Sequence, residues 1–118
     1  MRNSIAVLAL GLVISSFQVS AAHAARQCGS ASWYSLPGLK TASGEKMNPR
    51  AMTAAHRNFR FGTKLRVTNK RYGRSVIVRV NDRGPFIRGR VIDLSKAAAA
   101  RLGYVRRGHT PVCIQKIG

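Results

Sequence analysis

Two cysteines, Cys28 and Cys113, stand near the two ends of the polar part of this 118-residue chain, and they constrain its fold more than any other residues. Between them lies enough chain for a single domain of roughly 90 residues, whose core is modest, so a covalent staple adds what burial alone supplies sparingly. In the chain-entropy model a loop that long contributes about 4 kcal/mol. Whether the bond forms depends on the compartment, which the first residues indicate. Arg2 is a positive n-region, Ile5 to Val19 is an apolar run, and Ala22-His23-Ala24 is a small-x-small cleavage site. Residues 1–24 are therefore expected to be a secretory signal peptide, with residues 25–118 as the mature domain. The apolar run is shorter than the roughly 20 residues of a spanning helix. Cys28 follows Ala25-Arg26-Gln27, not the small or apolar residues of a lipoprotein signal. A secreted or periplasmic domain with no stable membrane insertion after cleavage is expected, carrying a Cys28–Cys113 disulfide in an oxidising environment. Two distant cysteines with His23, His56 and His109 make a poor ligand set, so neither a metal nor a cofactor is expected.

Lys and Arg number 21 against three acids, a net charge of +18 that attracts polyanions. Export removes nucleic acid as the partner and leaves wall polymers, lipopolysaccharide and anionic membranes. The basic residues are dispersed, so at any one position a solvated basic surface is the simplest reading.

Apolar and polar residues alternate over Lys64–Asn69 and again over Ser75–Asn81, with a short Gly73-containing turn between, which predicts a hairpin. Ala31–Tyr34 reads as a first strand and Pro111–Ile117 as a last. One helix is marked: Ser95 caps Lys96–Leu102, alanines fill it, and Gly103 suits the left-handed residue after its end. The expected fold is mainly β, one small barrel with one short α-helix.

With so few acids, each needs its own reason. Glu45 lies in the small-residue turn Thr41-Ala42-Ser43-Gly44-Glu45, where it either pairs with Lys46 or Arg50 or is presented for chemistry. Asp82, in Val80-Asn81-Asp82-Arg83-Gly84-Pro85-Phe86, ends a strand and opens a tight turn; it either accepts local backbone bonds and pairs with Arg83 or Arg79, or enters a cleft. Asp93 precedes the helix, where negative charge is favourable. His56, ending Met52-Thr53-Ala54-Ala55-His56, is either a packing residue or, beside an acid, a group that tunes a proton. No nucleophile elbow or phosphate loop is visible, and chemistry resting on carboxylates alone is most often glycoside cleavage.

Taken together, Gly29-Ser30-Ala31-Ser32-Trp33-Tyr34, Thr41–Glu45, Met52–His56, Gly62–Asn69, Val78–Phe86 and Ile92–Ser95 resemble the rare lipoprotein A (RlpA-like) family over nearly the whole mature chain. The resemblance implies a six-stranded double-psi β-barrel of the kind found in expansins, barwin-like proteins and some endoglucanases. It also implies lytic transglycosylase activity on peptidoglycan glycan strands, in some members preferring strands stripped of peptide. By motif, Glu45, His56 and Asp82 match positions implicated in the family's catalysis, and Asp93 an acid that expansin-like relatives keep beside the groove. All three carboxylates would then converge on one cleft, with Asp82 protonating the glycosidic oxygen as the muramic C6 hydroxyl closes onto C1. The surrounding positive charge opposes a protonated carboxyl, so burial or a second acid has to favour one. Trp33, Tyr34 and Phe86 either stack on sugars or belong to the core, and Arg83 is expected among the glycan contacts. Against that family pattern, the chain is expected to be without the lipobox and the glycan-binding repeat domain of many members, with wall affinity coming from the barrel and its charge, in a monomer. A non-catalytic, expansin-like wall-loosening module is the competing reading; a cationic membrane-active protein is a third.

Overall fold

The computed structural model describes residues 26–118; the expected signal peptide lies outside the described residues. Six strands, β1 (Gln27–Tyr34), β2 (Thr53–Ala55), β3 (Lys64–Asn69), β4 (Ser75–Asp82), β5 (Arg90–Ser95) and β6 (His109–Lys116), close into a barrel in the order β1-β5-β2-β4-β3-β6. Two pairs are parallel, β1 with β5 and β2 with β4, and the other four are antiparallel. This closed mixed barrel with one helix has the form of a double-psi β-barrel.

The hairpin β3–β4 forms where period-2 alternation predicts it. Leu65, Val67, Val76, Val78 and Val80 point into the core, while Lys64, Arg66 and Ile77 face out. Residue patterning gave no such sign for β2 or β5. Thr53, Ala54 and Ala55 are all buried, and so are Val91, Ile92, Leu94 and Ser95, so neither strand carries the alternation that marks a half-exposed strand. β1 begins earlier than the alternation suggests, and β6 spans His109–Lys116 where Pro111–Ile117 was expected.

Helix α1 (Lys96–Leu102) is capped as its residues predict. The Ser95 hydroxyl accepts from the Ala98 amide at 3.2 Å and donates to the Ala51 carbonyl at 2.6 Å, and Gly103 takes φ 82°. Ala98, Ala99 and Leu102 bury against the barrel, and the buried Tyr104 hydroxyl donates to the Ser32 carbonyl at 2.8 Å. Cys28 and Cys113 are directly opposed partners of β1 and β6, and their disulfide ties the first strand to the last where the barrel closes.

One irregularity shapes the site. Ala54 of β2 pairs with Val80, yet Ala55 pairs with Asp82, so Asn81 is an extra residue in β4. Such a bulge re-aims the side chains that follow it. It breaks the alternation at the end of β4, where Val80 and Asn81 are both buried and Asp82 is only half-buried.

Candidate active site

Ala55 is the cross-strand neighbour of both Asp82 on β4 and Asp93 on β5. The two acids therefore stand level at one end of the barrel, with Cα atoms two strand spacings apart, roughly 10 Å. β1 connects them. Ser32 and Tyr34, two residues apart and so on one face, each donate a hydroxyl: Ser32 to Asp93 Oδ1 at 3.0 Å, Tyr34 to Asp82 Oδ2 at 2.8 Å. Asp82 Oδ1 accepts two further bonds, from the Ala42 and Arg83 amides, both at 2.9 Å. The expected backbone bonds to Asp82 are thus present, and its side-chain partner is Tyr34.

The loop that carries Glu45 is folded onto the same end. The Thr41 amide donates to the Glu45 carbonyl at 2.8 Å, Gly44 turns the chain at φ 95°, and the Ser43 amide donates to the Asn81 carbonyl at 3.2 Å. Glu45 then meets β4. Arg79 Nη1 and Nη2 donate to Glu45 Oε1 and Oε2, each at 2.9 Å, and Asn81 Nδ2 donates to Oε1 at 3.0 Å. The partner is Arg79, not Lys46 or Arg50, because alternation along β4 turns Arg79 outward beneath this loop.

The electrostatics separate these acids. Hydrogen bonds from Arg79, then Asn81, hold the Glu45 carboxyl down at about 2, although its side chain is 43% exposed. Asp93 moves the other way: burial raises it, against the Ser32 bond and the Arg90 charge, with Asp82 adding a smaller upward push. A raised carboxyl in a strongly basic protein is the feature that a proton donor needs. Burial first, then the bond to Asp82, pushes the Tyr34 hydroxyl well above the ordinary phenol range, so it remains a donor at neutral pH.

His56 is held differently from the expectation of a proton-tuning group beside an acid. It is 3% exposed, and its Nδ1 accepts from the Asn58 and Phe59 amides at 3.0 and 3.1 Å. Nε2 must then carry the proton and donate to Gln27 Oε1 at 3.0 Å. The ring packs on Phe59, and only the His56 backbone reaches Asp82, its amide donating to the Asp82 carbonyl at 3.1 Å. Its geometry is that of a packing residue that seats the Asp82 strand end. Burial, then the charges of Arg57 and Arg83, lower its imidazolium to about 4. Because the folded value lies below the unfolded one near 6.5, the unfolded chain binds more protons between them. Stability from His56 is complete above pH 6.5 and is lost as pH falls to about 4, a loss of roughly 3 kcal/mol. Urea melts of the native domain and of His56→Asn at pH 7.5 and 4 should differ in their pH dependence by that amount; a ring titrating near 6.5 by NMR would refute it.

The expected glycan contacts separate as well. Arg83 Nη1 donates to the His56 and Phe59 carbonyls at 3.1 and 2.8 Å, and its guanidinium lies over Phe61, 4.1 Å from the ring centroid, so it clasps the loop after β2. Trp33 packs against the core, its Nε1 donating to the Val105 carbonyl at 3.0 Å, with the Lys96 amine 5.8 Å from the ring. Tyr34 serves Asp82. Phe86 alone stands free, 78% exposed, on the loop between β4 and β5. Residue reading gave no role to Ser32 or Asn81 and set Arg79 against Asp82, whereas it pairs with Glu45; the outward parity of Arg79 on the Ser75–Asn81 alternation was a usable sign. A cavity of about 400 Å³ lined by Met52, Arg66, Ser75, Val76, Ile77 and Arg101 lies toward the other end of β4, and none of the acids lines it.

Comparison with known proteins identifies the family of this barrel. The family model described as lytic transglycolase matches residues 26–114. A probable endolytic peptidoglycan transglycosylase RlpA of Nostoc sp. is 58% identical over 94 residues, covering 76% of this chain and 25% of that protein. The endolytic peptidoglycan transglycosylases RlpA of Neisseria meningitidis and Pseudomonas aeruginosa are 52% and 48% identical over 93 and 103 residues, covering 77% and 86% of this chain. The chain spans 39% and 30% of those two, well under half of each relative's length. Among solved structures, the Streptomyces papain inhibitor shares the fold at TM-score 0.66 and 23% identity, over 79% of this chain and 94% of its own. The apo expansin of Clavibacter michiganensis matches at TM-score 0.63 and 27% identity, over 79% of this chain and 50% of its own; a mutant of it in complex with cellohexaose matches at 0.62. With the family match running from Arg26 to Ile114, from the start of β1 into β6, the chain belongs to the lytic transglycolase family.

Proposed function

We propose that this protein is an endolytic peptidoglycan transglycosylase that cuts the β-1,4 bond between N-acetylmuramic acid and N-acetylglucosamine and leaves 1,6-anhydromuramic ends. The observation that carries this reading is the pairing of Asp82 and Asp93 across Ala55, each tied to β1 by one hydroxyl, in a chain 48–58% identical to relatives named for that activity. The reaction needs a proton delivered to the leaving glycosidic oxygen and one removed from the muramic C6 hydroxyl as that oxygen bonds C1. Protons balance within the substrate, and no water is consumed. Asp82, reached by Tyr34 and two backbone amides, is the fixed carboxyl of the pair; Asp93, raised by burial, is the one disposed to hold a proton. Substrate is held along this end of the barrel, with Phe86 free to stack on a sugar face.

The basic surface supports attachment to acidic wall polymers over a screening length of about 8 Å in physiological salt. Export by the segment before residue 25, and action in the periplasm or outside the cell, belong to the same proposal. No helix of the described residues is long and apolar enough to cross a membrane. The likeness to expansins, one of them bound to cellohexaose, favours as second reading a module that binds glycan without cutting it.

Mass spectrometry of soluble products decides between them, after incubation of the oxidised domain with intact and with peptide-stripped peptidoglycan. Anhydro-ended fragments are expected, in greater amount from stripped strands. Reducing ends would indicate a hydrolase, and tight binding without release would favour the glycan-binding module.

A further inference from the structure

Resting on the transglycosylase reading, we propose that Arg79 is a positioning residue for that reaction. With Asn81 it fixes the Glu45 carboxylate as a hydrogen-bond acceptor at the edge of the site, so that Glu45 acts as a fixed negative charge beside the sugar ring that turns cationic, and proton transfer is left to Asp82 and Asp93. Each Glu45 oxygen faces a guanidinium N–H at 2.9 Å, a planar fork matched to a planar carboxylate. A third donor, Asn81 Nδ2, comes from the bulge next to Asp82, so the clamp and the reacting acid share one piece of backbone. From the other side, the Thr41 amide and hydroxyl hold the Glu45 carbonyl, at 2.8 and 2.6 Å. Every side-chain bond to Glu45 is donated to it, so a proton on either oxygen would meet an N–H.

Stability does not explain this arrangement. Arg79 and Glu45 are 42% and 43% exposed, and exposed ion pairs add little to folding. Yet Asn81, 2% exposed, leaves its Oδ1 buried without a partner among the described residues while giving its Nδ2 to Glu45. Turning the amide over would set Oδ1 against the carboxylate. A buried acceptor left unsatisfied to support a surface pair is the kind of local cost found where a site is held for function. An oxocarbenium-like sugar in the transition state is stabilised by such a fixed carboxylate.

Glu45 is the sole glutamate of the chain, so protein labelled with glutamate carrying ¹³C at the carboxyl gives one side-chain signal to titrate. In the native domain the signal should stay ionised down to about pH 2, and in Arg79→Ala its titration should move up toward the ordinary glutamate range, with the Asn81 bond still holding it somewhat below. On soluble peptide-stripped strands, Arg79→Ala should lower kcat by about tenfold to a hundredfold, leave KM within about threefold and move the acid limb of kcat upward, with Tm nearly unchanged. Arg79→Lys, which keeps the charge without the fork, should recover part of kcat. An unchanged Glu45 titration in Arg79→Ala would overturn the proposal, as would a rise in KM at constant kcat. Should the native domain release no anhydro product, the activity reading fails by itself, and the titration still judges the clamp.

Discussion

Exchanging Asp82 for asparagine is expected to cut the release of anhydro products by about 10²- to 10⁴-fold, the span assigned to a positioned proton-transfer group, while the barrel stays folded. The geometry makes the substitution clean. An amide oxygen in place of Oδ1 still accepts from the Ala42 and Arg83 amides, and the Tyr34 hydroxyl can turn to accept from the new NH₂ at the Oδ2 position. Asparagine therefore keeps the shape and the local bonds and removes only the capacity to exchange a proton with the sugar. Thermal melts should place the variant within a few degrees of the native domain, and pull-down on insoluble wall should show nearly full binding. A variant that keeps more than about a tenth of the native rate would transfer the proton-handling role to Asp93, which stands level with Asp82 across Ala55 and is raised by burial. Loss of binding together with loss of product would make Asp82 a glycan contact.

The gathering of the acids at this candidate site was legible from residues, for a reason particular to this chain. With three acids in 118 residues, Glu45, Asp82 and Asp93 could each be singled out, and the structure places all three at one end of the barrel. The hairpin β3–β4 and the capped helix were legible too, since alternation, Ser95 and Gly103 act through neighbours in sequence. Strands β2 and β5 were not, because burial of adjacent residues erases the period-2 signal. Partners were the hardest to read. Arg79 lies 34 residues from Glu45 and Tyr34 lies 48 from Asp82, and both contacts depend on barrel closure and on the bulge at Asn81. The surroundings of His56 were equally hidden: motif position raised it among the catalytic candidates, and in the barrel its Nδ1 accepts from the Asn58 and Phe59 amides while its Nε2 donates to Gln27 Oε1, 29 residues away.

Removing the disulfide should have the largest effect on stability. Cys28 and Cys113 are 85 residues apart, and closing a loop of that length in the unfolded chain corresponds to about 4.6 kcal/mol at 25 °C in the chain-entropy relation. The bond joins partners that are already paired in the β1–β6 ladder, so its absence removes no strand pairing from the native barrel. The loss should therefore act through the unfolded ensemble, which becomes free to expand. For a domain of this size each kcal/mol corresponds to about 4–8 °C, and the double variant Cys28→Ser, Cys113→Ser is expected to melt roughly 20 °C or more below the oxidised domain. Urea denaturation tests the cause as well as the size. If the cross-link works by restricting the unfolded chain, the variant exposes more surface on unfolding, and its m-value should rise as its midpoint falls. A fall in midpoint at constant m would place the stabilisation in native contacts around the Cys28–Cys113 bridge, and a loss below about 1 kcal/mol would mean that the β1–β6 ladder closes the barrel without it.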